Sequence, residues 1–282
     1  MKNYYDYRMK RNFSFLMILT LFPIYICALE FSQSQENLLE KIFDFRINLR
    51  TYKTTDECIK SFDDFENKIY SDNEYKNGSE EFRLTVENLL VNAKYNCLYE
   101  KNPKDSNAKD LILSQYYKTI EYSENHNDCN VQYYCSSFDV INNSMQFLPQ
   151  SKAIKYGLEE KKCYDNLISK QIEDGNLYMC AALWYKFAPA IGGGSFSISK
   201  KYFFKAKEIA KNVYEKYYIT IHCSQICFEE KNYQEAEKYL LEAEEILPNT
   251  RYLQLVYKLN ENDMSLFYYI NNREKAEKKM GL

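Results

Sequence analysis

The chain has 282 residues, with 37 Lys and Arg against 40 Asp and Glu, a formal net charge of −3, and only 7 Gly and 5 Pro. So little punctuation disfavours a turn-rich architecture and favours long helices. A composition that is 45% hydrophobic, with 28 Tyr, excludes a disordered chain, and the mildly acidic charge without a basic stripe excludes the electrostatic footprint of a nucleic-acid binder.

In chain order, the first segment is a basic start carrying Lys2, Arg8, Lys10 and Arg11, followed by an uncharged apolar run from Phe13 to Ala28. A basic start, a short apolar stretch and a small residue at its end read as an export signal over residues 1–28. A retained membrane anchor and a lipid anchor at Cys27 are the alternatives; the run is shorter than the roughly 20 residues a span needs, and Ile26 stands where a lipobox wants a small residue. Cleavage after Ala28 removes four basic residues and Asp6 and leaves a net charge of −6. The expected location is the cell envelope or periplasm. Contact with a membrane is expected only through an uncleaved signal or an anchor.

Residues 29–282 read as one helical domain without a convincing strand. Expected helices run over 34–49, 55–70, 80–100, 107–123, 130–147, 152–170, 175–187, 197–212, 214–230, 233–247, 250–260 and 264–279. Thr54 with Glu57 and Asn232 with Glu235 have capping-box spacing, and Ser79, Ser106, Asp128, Ser151 and Asp174 are further N-cap candidates. Short connections make consecutive helices antiparallel neighbours.

The first helix of each successive pair carries a Cys at an equivalent place: AKYNCLYE, VQYYCSSF, LYMCAALW and ITIHCSQI, with Cys97, Cys135, Cys180 and Cys223 separated by 38, 45 and 43 residues. Three of the four residues that follow are small (Ser136, Ala181 and Ser224). That is a helical hairpin repeated about every 40 residues, with Cys as a small apolar side chain where helices approach closely. Core packing is preferred to a disulfide or metal role for these thiols. Cys223 and Cys227 lie one helical turn apart, but a tetrahedral metal needs two more ligands and the chain has only His126 and His222, so no metal is expected.

In the segment after Cys223, the residues Cys223, Ser224, Cys227, Lys231, Tyr233, Ala236, Leu240, Ala243 and Pro248 keep the spacing of the tetratricopeptide repeat, although several residue types differ. Residues 214–248 resemble one such repeat, and the hairpin over 175–212 resembles it through Phe203 and Ala206, with Ser199 where the first Ala belongs. Hairpins over 80–123 and 130–170 resemble it only in their first helices, and 34–70 and 250–282 read as degenerate or capping hairpins. A narrower likeness, through Pro189, Gly192, Gly193 and Ala206, is to the T component associated with TRAP transporters. What the resemblance implies is an all-α, right-handed superhelical α-solenoid of antiparallel hairpins with an open concave face.

Gly192-Gly193-Gly194-Ser195 lacks the Gly-Lys-Ser/Thr ending and the preceding strand of a phosphate loop, and reads as a flexible hairpin connection. No zinc-protease or nucleophile-elbow motif occurs, and the paired acids along the helices read as solvated faces. The expected activity is therefore binding without catalysis and without a cofactor. In the tetratricopeptide pattern the position two residues before the Cys faces the groove, which puts Tyr95, Tyr133 and Tyr178 on a binding wall, with Trp184, Tyr185 and Phe228 further along the same side. Tyrosine offers rigid contact area and a hydroxyl, so these six are the candidate contacts for a protein or peptide; packing between helices is the competing role. The alternative function is a non-catalytic small-ligand-binding accessory protein of a transport system, with a cavity near Trp184 and the Gly192 loop. Asn77-Gly78-Ser79 and Asn142-Asn143-Ser144 have glycosylation spacing, and the basic tail Asn272 to Leu282 suits the end of a last helix.

Overall fold

The structure, a computed structural model, describes residues 30–281; the export-signal segment and Cys27 lie outside the described residues. Those residues form fourteen α-helices and no strand. In chain order these are α1 (Gln33–Asn48), α2 (Thr55–Ser71), α3 (Asn73–Asn77), α4 (Glu80–Lys101), α5 (Ser106–Asn125), α6 (Val131–Ser144) and α7 (Gln150–Ser169). Then follow α8 (Gly175–Phe187), α9 (Phe196–Ile209), α10 (Val213–Glu229), α11 (Tyr233–Ile246), α12 (Arg251–Glu261), α13 (Leu266–Asn271) and α14 (Arg273–Met280). Among the described residues no helix is long and apolar enough to cross a membrane.

Local chemistry sets most of the boundaries. Thr54 accepts from the Glu57 amide while the Glu57 carboxylate takes the Thr54 amide, a complete capping box; Ser32 and Gln35 form another. Ser79, Asp174 and Asn232 each cap through the side chain, Asn232 without the reciprocal bond from Glu235. Three expected caps shift to a neighbour. Asp105 rather than Ser106 caps α5, because its carboxylate reaches the amides of Asn107 and Ala108. Asn130 rather than Asp128 caps α6. At α7 no side chain caps, and Pro149 precedes the first residue in place of Ser151. The helix expected over 264–279 is broken at Asn272, whose φ of −138° is not helical, and α3 was not expected.

Four non-glycine residues take left-handed backbone: Gln171, Lys231, Asn249 and Asp263. Each follows a helix end (α7, α10, α11 and α12) where a Gly would be preferred. A Gly-poor chain uses other residues there, at some conformational cost.

The hairpins α4/α5, α8/α9 and α10/α11 pack closely within themselves. Each of α4, α6 and α8 packs on the next of the row α4, α6, α8, α10, and α5, α7 and α9 each pack on the first helix that follows. Ala206, Ala236 and Ala243 are buried where these helices meet, beside Phe203 and Leu240. The Ser199 that replaces an expected Ala is buried too, and its hydroxyl donates to the Ala182 carbonyl at 2.8 Å, tying α9 to α8.

Two features depart from an extended line of hairpins. First, α1 lies against the row, packing on both α4 and α10 and sending Arg46 to Asp139 of α6 at 3.4 Å. Second, the last described helices reach back to earlier ones: the Arg251 amide donates to the Arg50 carbonyl at 3.4 Å and Arg251 Nε to the Tyr52 carbonyl at 2.8 Å, between α1 and α2, and the Arg273 guanidinium of α14 donates to the carbonyls of Tyr99 and Glu100 on α4 at 3.3 Å each. Hairpins read as caps for opposite ends are therefore in contact.

Candidate binding surfaces

The six expected contact residues separate into four places. Tyr95, Tyr133, Tyr178 and Tyr185 are buried, while Trp184 and Phe228 are half-buried. Tyr95, on α4, accepts from Gln146 Nε2 at 2.8 Å and stacks on Tyr99. Tyr133, on α6, turns toward α5, where its hydroxyl meets Ser123 Oγ at 2.9 Å and donates to the Thr119 carbonyl at 3.2 Å. With their hydroxyls satisfied inside the fold, Tyr95 and Tyr133 act as packing residues here rather than as parts of one exposed wall.

Tyr178, Trp184 and Tyr185 do come together. Tyr202 of α9 meets Tyr178 and Tyr185 edge-on, both at 5.6 Å, and Trp184 meets Tyr185 at 5.1 Å. The Lys161 ammonium lies 5.4 Å from the Tyr185 ring and 5.9 Å from the Trp184 ring, and pairs with Asp165 at 2.5 Å. Tyr185 donates to the same Asp165 at 2.6 Å, and Trp184 Nε1 donates to the Gly157 carbonyl at 2.8 Å. An aromatic cluster of this kind attracts cations, and Lys161 of α7 already takes that position. The Gly192–Gly194 turn lies beside it. Gly193 has φ of +100°, and a Cβ on Gly194 would stand 1.8 Å from the Ala188 carbonyl oxygen. The left-handed backbone accounts for Gly193 and the close Ala188 carbonyl for Gly194, whereas a side chain at Gly192 would meet open space.

Phe228 belongs to a different surface. It meets Tyr233 edge-on at 5.3 Å at the turn between α10 and α11. With Met264 and Ser265 from the turn between α12 and α13, Tyr268 of α13 and Lys279 of α14, these residues line an open depression of about 490 Å³. Tyr233 and Tyr268 are 53% and 43% exposed, so two aromatic faces are available to a partner. Nothing in the repeat pattern pointed to Tyr268 or Met264; they reach Phe228 only because the turns of consecutive helix pairs lie at one edge of the fold.

The cysteine positions fall on α4, α6, α8 and α10 as the repeat implies, and all four thiols are buried. They do not form one continuous seam. Cys135 and Cys180 interact directly, Cys223 donates to the Phe203 carbonyl at 3.6 Å, and Cys97 meets Cys58 of α2. All eight thiols of the described chain are free. Among the described residues no group of three or more His, Cys, Asp or Glu is placed to hold a metal ion.

A polar network that sequence patterning did not reveal joins α1, α4, α6 and α7. Asp139 accepts from Arg46 and, at 3.1 Å, from Asn92 Nδ2, and Asn92 in turn accepts from Asn143. Next to it on α7, Glu160 is 1% exposed; its Oε1 accepts from Asn142 at 3.0 Å and Tyr164 at 2.8 Å, and its Oε2 has no partner. Burial pushes the Glu160 carboxyl up to about 8, so it is protonated at neutral pH. His222, buried between the rings of Phe203 and Phe267, is pushed down to about 4 by desolvation and is neutral. Its Nδ1 has no partner.

No family model, curated protein or solved structure matches this chain.

Proposed function

We propose that this chain is a non-catalytic binding scaffold of the cell envelope, a tetratricopeptide-like right-handed α-solenoid closed by its own first helix, that grips a protein or peptide partner at the edge formed by the helix turns. The observation that carries this reading is the depression of Phe228, Tyr233, Met264 and Tyr268, where aromatic faces stay exposed although most other large rings of the described chain are packed away. Exposed aromatic side chains at the rim of such a hollow are the anchors a partner would bury. Export rests on the basic and apolar pattern of residues 1–28.

The test is affinity capture from the native envelope with the full chain, comparing wild type with the Tyr233→Ala/Tyr268→Ala double variant. Both side chains are exposed, so folding should persist, and recovery of the partner should fall at least tenfold. Equal recovery by the two chains refutes this surface.

A second reading, a small-ligand accessory protein, is favoured by the Tyr178, Trp184, Tyr185 and Tyr202 cluster. It requires Lys161 to swing off those rings to admit a cationic or flat ligand. Trp184 fluorescence titrated with candidate metabolites distinguishes it, because only this reading predicts a saturable change there.

A further inference from the structure

Apolar side chains also lie exposed where α7 meets the turn between α8 and α9. Ile154, Leu158 and Lys161 follow one another at i, i+4 and i+7 on one face of α7, and both apolar side chains are exposed. The turn joins this face at its end. A Cβ on Gly193 would stand 3.2 Å from Lys161 Cε and 4.0 Å from Trp184 Cη2, and Trp184 Nε1 donates to the Gly157 carbonyl at 2.8 Å. Ile191, in the short 3-10 turn Ala190–Gly192, is fully exposed.

Two features set this turn apart from an ordinary polar connection. The stretch Ala188–Phe196 carries no charged residue. Five of its amides donate within the turn or to the end of α8. Gly192 and Gly194 donate to the Pro189 carbonyl at 2.8 Å and 3.1 Å, and Gly193 to the Ala190 carbonyl at 3.0 Å. Ser195 donates to the Tyr185 carbonyl and Ala188 to the Trp184 carbonyl, both at 2.9 Å. Amides paired in this way enter an apolar medium without the cost of an unsatisfied donor. The rim, by contrast, is cationic. Lys152, Lys155, Lys161 and Lys162 of α7 stand against the carboxylates of Glu159 and Asp165, because Glu160 is buried. Lys155 pairs with Glu159 at 3.8 Å and Lys161 with Asp165 at 2.5 Å. Lys152 and Lys162 are exposed and form no ion pair among the described residues.

We propose that this face docks the folded domain on an anionic lipid bilayer, with Ile191 inserted among the acyl chains, Ile154 and Leu158 beside it at the interface, and the lysines of α7 on the headgroups. An aliphatic side chain fully in water, on an uncharged turn with paired amides, is matched by acyl chains, which neither offer nor require hydrogen bonds. The excess of lysine matches phosphate headgroups, and the long stems let the ammonium groups reach them. Trp184, half-buried at the base of the turn, stands where interfacial rings sit. The contact belongs to the folded domain and needs neither the apolar run of residues 13–28 nor a lipid anchor.

Trp184 is the chain's single tryptophan and so reports on this site alone. The experiment titrates the full chain with vesicles of phosphatidylcholine, or of phosphatidylcholine with phosphatidylglycerol, brominated along the acyl chains. Residues 13–28 can attach the chain to vesicles by themselves, so the readout is quenching of Trp184 emission rather than sedimentation. Wild type should be quenched by the anionic vesicles at low salt and much less by the neutral ones. Ile191→Ser should need about tenfold more lipid, or more, for the same quenching, and Ile191→Leu should behave as wild type. Lys155→Gln/Lys162→Gln should need about tenfold more lipid on anionic vesicles only. Where residues 13–28 hold the chain on the vesicle, each loss appears as a lower plateau of quenching. All three side chains are exposed, so the fold should persist, as circular dichroism will show. Trp184 emission that the acyl-chain bromines leave unquenched, equal curves for wild type and Ile191→Ser, or quenching indifferent to lipid charge each overturn the proposal.

Discussion

Glu160 sets a pH dependence that one substitution should remove. Its carboxyl lies at about 8 in the fold, against 4.5 in the unfolded chain. The folded chain therefore keeps a proton that the unfolded chain releases in this window. Stability from the protonated acid is whole below pH 4.5 and is lost progressively as pH rises through about 8. Each pH unit in that window costs about 1.4 kcal/mol, so at pH 7 the loss is about 3 kcal/mol. Because Glu160 is 1% exposed, solvent screening does not reduce this much. Glu160→Gln copies the protonated acid: its oxygen still accepts from Asn142 and Tyr164, and its amide replaces the unpartnered oxygen. The variant should match wild type near pH 4.5 and exceed it by about 3 kcal/mol at pH 7, a gain in Tm of roughly 6–12 °C. Thermal and urea unfolding followed by circular dichroism, from pH 4.5 to 9, measure this difference. A stability difference that does not change with pH, or a Gln variant that loses ground as pH rises, refutes the assignment of a buried, protonated Glu160.

Three further outcomes follow from other parts of the fold. His222 lies at about 4 in the fold and 6.5 unfolded, so its contribution is present above pH 6.5 and is lost as pH falls toward 4; His222→Leu should remove about 3 kcal/mol of that acid destabilisation, read from urea midpoints at pH 6.5 and 4. Gly194→Ala should cost about 2 kcal/mol or more, seen as a lower Tm, because its Cβ would meet the Ala188 carbonyl at 1.8 Å. Ala243→Leu should cost about 1–3 kcal/mol by pushing α11 off its neighbours, since Ala243 is fully buried, whereas the same change at the exposed Glu237 should leave Tm nearly unchanged.

The helices themselves were legible because their signals are local. Thr54 with Glu57, Asp174 and Pro248 act within one or two turns of their own positions, and the boundaries there lie where the residues put them. Where two candidate caps stood close together, as with Asp105 and Ser106, sequence could not decide which side chain would reach the free amides. The cysteine period placed Cys97, Cys135, Cys180 and Cys223 on the first helices of four successive hairpins, but period carries register and not curvature. It could not say that Cys97 would meet Cys58 or that Cys135 would meet Cys180. The same limit explains the tyrosines. Tyr95, Tyr133 and Tyr178 share a position in their helices, yet each faces what its own neighbours provide: Gln146, Ser123 or Tyr202. Arg46 and Asp139 are 93 residues apart, and no pattern in the chain relates them.

The first helix changes what the repeat can offer a partner. The row α4, α6, α8 and α10 would, in a simple stack, leave a long face for a ligand. Here α1 covers part of it: Leu38, Leu39, Ile42, Phe43 and Ile47 are buried, and the Phe43 ring meets Tyr214 at 5.1 Å. Arg46 and Arg50 then lie over the rings of Tyr214 and Tyr252, at 4.8 Å and 4.9 Å. Tyrosines that a repeat might present to a partner thus receive the chain's own arginines. Arg251 and Arg273 complete the closure from the other end. These contacts tie the segment around Arg50 and Tyr52 to the start of α12, and α14 to α4. The edge where the ends of α10, α11 and α13 bring Phe228, Tyr233 and Tyr268 together stays open.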